Sequence, residues 1–251
     1  MNEEKSQKKK KSFFYKMIVA LVRVFYRKRK FIGTENLPSE PALIIGNHAQ
    51  LHSPVTCELF FPTEKSVWCI GQMMNIKEVP AYAFEDFWSK KPKYIRWFFR
   101  LVSYLIAPLS AFIFTQADTI PVYKDSRILT TFRKTQERLA LGEHVVIFPE
   151  KKELYNEIVN DFQDKFVDVA RLYYSKHKKR IAFVPMYNAV KLKMVAFGKP
   201  IVYDPEIPMD EQRKIICEYL KAEITALAKT LPRHKVVPYL NVGAKNYPYS
   251  K

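Results

Sequence analysis

The sequence predicts an α/β protein, a mostly parallel central sheet flanked by helices, and three observations carry that expectation. Short apolar runs alternate with longer segments of helical apolar spacing from about residue 42 to residue 229. Two of the runs, Pro41-Ala42-Leu43-Ile44-Ile45 and Val145-Val146-Ile147, are continuously apolar, as buried parallel strands are. Each then gives way to a chemically equipped turn, Gly46-Asn47-His48 after the first and Phe148-Pro149-Glu150 after the second. In open α/β sheets the reactive crevice lies beyond the carboxyl ends of the strands, so a histidine and a carboxylate at two such ends are expected to converge on one substrate.

Taken in order, strands are expected near 42–46, 66–70, 119–123, 144–148, 181–187 and 192–198. Helices are expected near 54–61, 79–88, 126–141, 153–175 and 209–229. The helix after Asp125-Ser126 has the fullest set of signals. Either residue caps its start, Ile128, Leu129, Phe132 and Leu139 line one side, and Gly142 follows its end. The 251 residues suit one large domain or one and a half. The division read from the sequence is a basic amphipathic segment over 1–30, an α/β domain over 31–230 with an apolar insertion at 94–117, and an irregular tail over 231–251, which holds Pro232, Pro238 and Pro248.

Composition narrows the class. The chain is 48% apolar and 14% aromatic with no low-complexity tract, which reads as globular. Cys57, Cys69 and Cys217 are odd in number and have no C-x-x-C spacing, so neither a disulfide framework nor a zinc site is expected, and a reducing cytosolic setting fits.

The formal charge of +17 is unevenly placed. Residues 1–30 hold eleven Lys/Arg against Glu3 and Glu4 and so carry +9 of it. Such a block attracts polyanions, and the apolar spacing decides which kind. Phe13, Phe14, Met17, Ile18, Leu21, Val24 and Phe25 recur at helical intervals among Lys16, Arg23 and Arg27. That describes an amphipathic helix lying in a bilayer interface, too short to span it, with a helix packed on the core as the competing account. Arg23 interrupts the apolar stretch and no small-residue cleavage site follows, so it does not read as a signal peptide.

The stretch Trp97 to Ala117 carries a single charge, Arg100, and is interrupted by Pro108. Tyr94, Trp97 and Tyr104 near one end, with Lys90, Lys91, Lys93 and Arg96 beside them, favour a bent segment entering a membrane from its basic side. Two buried helices of a soluble fold are the competing account. The expected partner is an anionic membrane surface, with peripheral or monotopic attachment at the cytoplasmic face. Nucleic acid is not expected, because the aromatic residues cluster with apolar ones rather than interleaving with Lys and Arg.

At the strand ends, a neutral imidazole at His48 can accept a proton from an attacking hydroxyl. His52 lies four residues on, but no third ligand follows, so no metal is expected. His144 reads as flanking a strand and His177 as part of a basic surface. No Gly-rich phosphate loop, nucleophile elbow or H-E-x-x-H sequence is present, and no cofactor is expected.

The order Asn47-His48, then Ile120-Pro121-Val122-Tyr123-Lys124, then Phe148-Pro149-Glu150, then Val184-Pro185 resembles the four blocks of the PlsC-like glycerolipid acyltransferases, which include the 1-acylglycerol-3-phosphate acyltransferases. The likeness covers about residues 30–205. It implies a transfer of an acyl chain from acyl-CoA or acyl-carrier protein to a lysophospholipid or glycerol-phosphate hydroxyl, with His48 as general base. It further implies that Asn47 and Glu150 help hold substrate, that Lys124 stands where the family places a phosphate-binding arginine, and that Pro185 helps shape the substrate pocket.

The sequence departs from the family at two places. The dyad aspartate position of the family is Ser53, which can orient an imidazole but brings no negative charge. Glu58 and Asp118 are carboxylates that could stand in. After Glu150 the family's Gly-Thr-Arg is replaced by Lys151-Lys152-Glu153, which exchanges a guanidinium fork for ammonium groups. Lys151 and Lys152 read as an anion site beside Lys124, or as a solvated helix start. The alternative to an enzyme is a non-catalytic lipid-binding protein that keeps the acyltransferase fold.

Overall fold

The computed structural model describes residues 11–89, 91–123, 125–153, 158–240 and 242–251. In chain order its elements are α1 (Phe13–Phe25), β1 (Lys30–Ile32), β2 (Ala42–Gly46), α2 (His52–Phe60), β3 (Lys65–Ile70), α3 (Val79–Ala83), α4 (Arg96–Gln116), β4 (Thr119–Val122), α5 (Ile128–Ala140), β5 (His144–Ile147), α6 (Asp168–His177), β6 (Ala182–Ala189), β7 (Met194–Phe197), β8 (Ile201–Val202) and α7 (Met209–Thr230). They fall into two compact units. One lies within Met1–Tyr26 and Cys69–Tyr123, the other within Arg27–Trp68 and Lys124–Lys251.

The second unit carries the central sheet, with strands in the order β1, β7, β6, β2, β5, β3 and with β8 pairing β6. β2 runs parallel to both β5 and β6, β3 parallel to β5, and β1 parallel to β7. Only β7 and β8 lie antiparallel to β6 in this set. A mostly parallel α/β sheet is therefore what the apolar runs encode. Leu43, Ile44 and Ile45 pair with Val145, Val146 and Ile147, and all six side chains are buried. Such a strand pair has no solvent face, which explains the absence of polar alternation.

Pro185 sits inside β6 opposite Ile45, a position where the missing N–H would normally break a ladder. Its carbonyl accepts from Gly198 N–H at 2.8 Å. N and C=O of one strand residue point the same way, so the donor it lacks faces the gap between β7 and β8, where no strand needs it. On one face α7 buries Ile216, Leu220, Ile224 and Ala228, a stripe spaced by four residues. α5 buries Thr131, Phe132, Thr135 and Leu139, whereas Leu129, expected on that inner face, is 70% exposed. Thr135 takes its place, with Oγ1 accepting from Trp68 Nε1 at 2.9 Å.

Of the helix expected over 153–175, residues 154–157 lie outside the described residues, and among the described ones α6 begins at Asp168. Before it, backbone bonds from Lys151 N–H to Asp161 C=O (2.7 Å) and from Gln163 N–H to Pro149 C=O (2.8 Å) fold the chain back on Glu150 as a loop. Helical periodicity in 158–167 reflects burial of Ile158, Val159, Phe162, Phe166 and Val167 in that loop and in a short 3-10 turn. β1 and β8 were not foreseen. They are short, and β1 lies in the basic run that ends at Lys30.

In the first unit α3 continues as a π-helical turn over Phe84–Trp88, and Val79, Ala83 and Ala107 form a small core with Met73, Phe87, Trp88 and Ile106. α1 starts at Ser12, whose Oγ accepts from Tyr15 N–H, and its first turn is tied to the end of α4. Ser12 N–H donates to Gln116 Oε1 at 2.9 Å, Lys11 pairs with Asp118 at 3.0 Å, and the rings of Phe14 and Phe112 lie 5.5 Å apart. Most of the apolar residues of α1 find no cover. Phe13 is 84% exposed and Phe25 78%, with Met17, Leu21 and Val24 also exposed. On α4 the same holds for Trp97, Phe98, Leu101, Tyr104, Leu105 and Leu109. Among the described residues one helix, within Lys93–Gln116, is long and apolar enough to cross a membrane.

Candidate active site

β2 and β5 are neighbours, so their carboxyl ends deliver Asn47-His48 and Glu150 to one place in the second unit. The contact between His48 and Glu150 is made through the histidine backbone. His48 N–H donates to Glu150 Oε2 at 2.6 Å, and Asn160 N–H donates to Oε1 at 2.9 Å. Glu150 is 3% exposed. Burial pushes its carboxyl up to about 7, against the two backbone donors, which favour the anion. It fastens the turn after β2 to the loop after β5.

The imidazole is held from other directions. Its Nδ1 lies 2.5 Å from the carbonyl oxygen of Gln50. A carbonyl only accepts, so Nδ1 carries a proton, and the ring in its neutral form presents its lone pair at Nε2, the tautomer a general base needs. Ala49 and Gln50 both adopt left-handed backbone, φ 47° and 55°, which swings the Gln50 carbonyl back toward the ring. Two consecutive non-glycine residues in that region cost energy that the surrounding contacts must offset. Tyr239 stacks on the imidazole with centroids 4.3 Å apart and an interplanar angle of 24°, and Phe148 meets it edge-on at 5.7 Å.

Asn47 extends the sheet by one side chain. Its Oδ1 accepts from Asn188 N–H at 2.7 Å and its Nδ2 donates to the Asn188 carbonyl at 3.4 Å, so it copies a backbone ladder past the end of β2. Ser53 is fully buried in the first turn of α2, where its Oγ accepts from Asn188 Nδ2 at 3.1 Å. Thr56 Oγ1 lies 3.4 Å from the same amide. Asn188, which sequence reasoning missed, thus links the end of β6 to both Asn47 and α2. Its only sequence signal is an asparagine in an otherwise apolar run, Val184 to Ala189.

The remaining expected residues are more dispersed. Pro185 lies within the sheet, three residues before Asn188. Lys151 and Lys152 are exposed, and the backbone of Lys151 is bound to Asp161 and Asn160. Lys124 falls outside the described residues. The two carboxylates that could have replaced the dyad aspartate are engaged elsewhere, Glu58 with Lys65 and Asp118 with Lys11. His144 Nδ1 accepts from Ala42 N–H at 3.1 Å and so does flank a strand. Burial depresses the pKa of His52, with Arg29 and Lys191 adding to the effect. Among the described residues no group of three His, Cys, Asp or Glu side chains is arranged to hold a metal ion.

No family model and no curated protein matches the chain. Among solved structures, the crystal structure of the 1-acyl-sn-glycerophosphate (LPA) acyltransferase PlsC from Thermotoga maritima is similar to it, with a TM-score of 0.48 and 14% identity over 85% of this chain and 81% of that one.

Proposed function

We propose that the protein is a membrane-associated O-acyltransferase that moves an acyl chain from acyl-CoA or acyl-carrier protein to the hydroxyl of a lysophospholipid or glycerol-phosphate-type acceptor. The observation that carries this reading is the held imidazole of His48 at the end of β2, with its proton on Nδ1 and its basic lone pair on Nε2. Nε2 takes the proton of the acceptor hydroxyl as that oxygen attacks the thioester carbonyl. The new C–O ester bond forms, the C–S bond breaks, and the departing thiolate takes the proton back from the imidazolium. Neither a covalent acyl-enzyme nor a metal enters this scheme.

The exposed apolar residues of α1 and α4, with Lys11, Lys16, Arg23, Lys93, Arg96 and Arg100 on the same segments, support attachment at the anionic, cytoplasmic face of a membrane. Asn47, Glu150 and Ser53 then shape the site rather than touch the reacting atoms, while Lys124, Lys151 and Lys152 supply positive charge for an acceptor phosphate and Pro185 a rigid wall below it.

A second reading is a non-catalytic lipid-binding protein. It is favoured by the bond of Ser53 to Asn188, which leaves the family's dyad position turned to a structural task. The two separate in an assay of vesicle-bound protein with labelled acyl-CoA and a panel of lysolipids. Product formation that His48→Ala abolishes supports the enzyme, and binding of lysolipid without turnover supports the alternative.

A further inference from the structure

The segment after α7 is a built part of the site. Residues 234–236 and 248–250 are bound to each other through Val236 N–H to Pro248 C=O and Ser250 N–H to His234 C=O, each 2.8–2.9 Å. This pair is anchored to β6. His234 Nδ1 lies 2.8 Å from the Pro232 carbonyl, which fixes its proton there, and Nε2 therefore accepts from the Tyr187 hydroxyl at 2.8 Å. Tyr187, His234 and Ser250 are all buried. Between the two anchored stretches the chain reaches back to the turn after β2. Tyr239 stacks on His48, the Leu240 carbonyl accepts from Gln50 Nε2 at 3.2 Å, and the Tyr247 hydroxyl lies 3.2 Å from the same nitrogen.

We infer that this C-terminal segment does the work of the missing dyad carboxylate: Tyr247 and Leu240 fix Gln50 so that its carbonyl holds the Nδ1 proton of His48, and Tyr239 fixes the plane of the ring. Ser53 Oγ accepts from Asn188, and the Nδ1 of His48 meets the Gln50 carbonyl instead. A carbonyl can set the tautomer and orientation of an imidazole as a carboxylate does, though with less charge to stabilise the imidazolium. With Nδ1 held on the Gln50 carbonyl, the orientation of the ring depends on how rigidly the Ala49–Gln50 turn is kept. That turn is strained, so it needs external fasteners, and the C-terminal segment supplies them. Gln50, Tyr239 and Tyr247 are positioning residues. Their catalytic consequence rests on the acyltransferase reading, whereas their effect on the imidazole does not.

The test uses full-length protein on vesicles, with Tyr239→Leu, Tyr239→Phe and Tyr247→Phe. Imidazole ¹⁵N spectra report the tautomer of His48 directly. The wild type is expected to show Nδ1–H alone. Tyr239→Leu and Tyr247→Phe are expected to show a mixture of tautomers with melting unchanged, and Tyr239→Phe to restore the single form. In the acyl-transfer assay the two defective variants are expected to lose kcat by about a hundredfold with KM little altered, as small misplacements of a catalytic group do. If the spectra change and no variant, wild type included, turns over substrate, the positioning stands and the enzyme reading falls. If the wild type is active and Tyr239→Leu and Tyr247→Phe match it in tautomer and kcat, the inference is overturned and the enzyme reading stands.

Discussion

The main-chain N–H of His48 donates to the Glu150 carboxylate at 2.6 Å, so the acidic residue at the end of β5 holds the backbone of the histidine and leaves the ring to other contacts. Glu150 is thus a staple for the turn after β2, and the ring it leaves to other contacts is the proposed base.

Glu150 gives a pH signature with a definite sign. Its folded carboxyl titrates at about 7 against 4.5 for the free group, so the folded state holds the proton better. The associated stability is complete below 4.5 and is lost as pH rises to about 7, a total of about 3 kcal/mol. Urea denaturation across that interval is expected to show Glu150→Gln with a flatter profile than wild type. Profiles of equal slope would contradict the burial argument.

His144 acts in the opposite direction. Burial lowers its pKa below 6.5, and its Nδ1 must stay unprotonated to accept from Ala42. Protons then bind the unfolded chain preferentially, so this contribution is lost as pH falls below 6.5. Replacing His144 with Asn, which keeps an acceptor and removes the titration, is expected to reduce the decline on the acid side that survives in Glu150→Gln, with His52 and His177 leaving a remainder.

Ser53 has a structural partner, and its substitutions are expected to be read in stability. Ser53→Ala leaves the Asn188 amide short of an acceptor and is expected to cost about 1–3 kcal/mol in denaturant titrations. Activity per folded molecule is expected to stay within severalfold of wild type. Ser53→Asp buries a carboxylate in a fully enclosed position and is expected to cost more. A large loss of kcat in Ser53→Ala with unchanged stability would show that the hydroxyl serves the imidazole after all.

Membrane attachment is tested on the exposed face of α4. Leu101→Glu and Leu105→Glu each remove a side chain worth about 2 kcal/mol of burial, or more than tenfold in vesicle partitioning. Co-sedimentation with anionic vesicles is expected to fall accordingly while the melting temperature holds. A collapse of melting with unchanged vesicle binding would mark α4 as a core helix.

The parallel core was legible because β2 and β5 are covered on both faces, which leaves short, continuously apolar runs bounded by turn residues. The exposed apolar face of α1 was legible because its apolar residues recur at helical spacing among Lys16, Arg23 and Arg27, and that of α4 because a long apolar stretch carries few charges beside a basic cluster. What escaped was whatever depends on partners distant in sequence. Ser53 meets Asn188 across 135 positions and Gln50 meets Tyr247 across 197, and nothing in the local pattern of either records the other. The tail after Thr230 read as irregular because its regularity is borrowed from β6 and from the turn after β2. The loop that closes on Glu150 read as helix because buried residues spaced three to four apart look alike in both settings.

His48→Ala and His48→Gln, compared with wild type on vesicles supplied with labelled acyl-CoA and lysophospholipid, are expected to bind the vesicles and melt as wild type does while acyl transfer falls to background. Transfer at the wild-type rate in either folded variant would contradict the account.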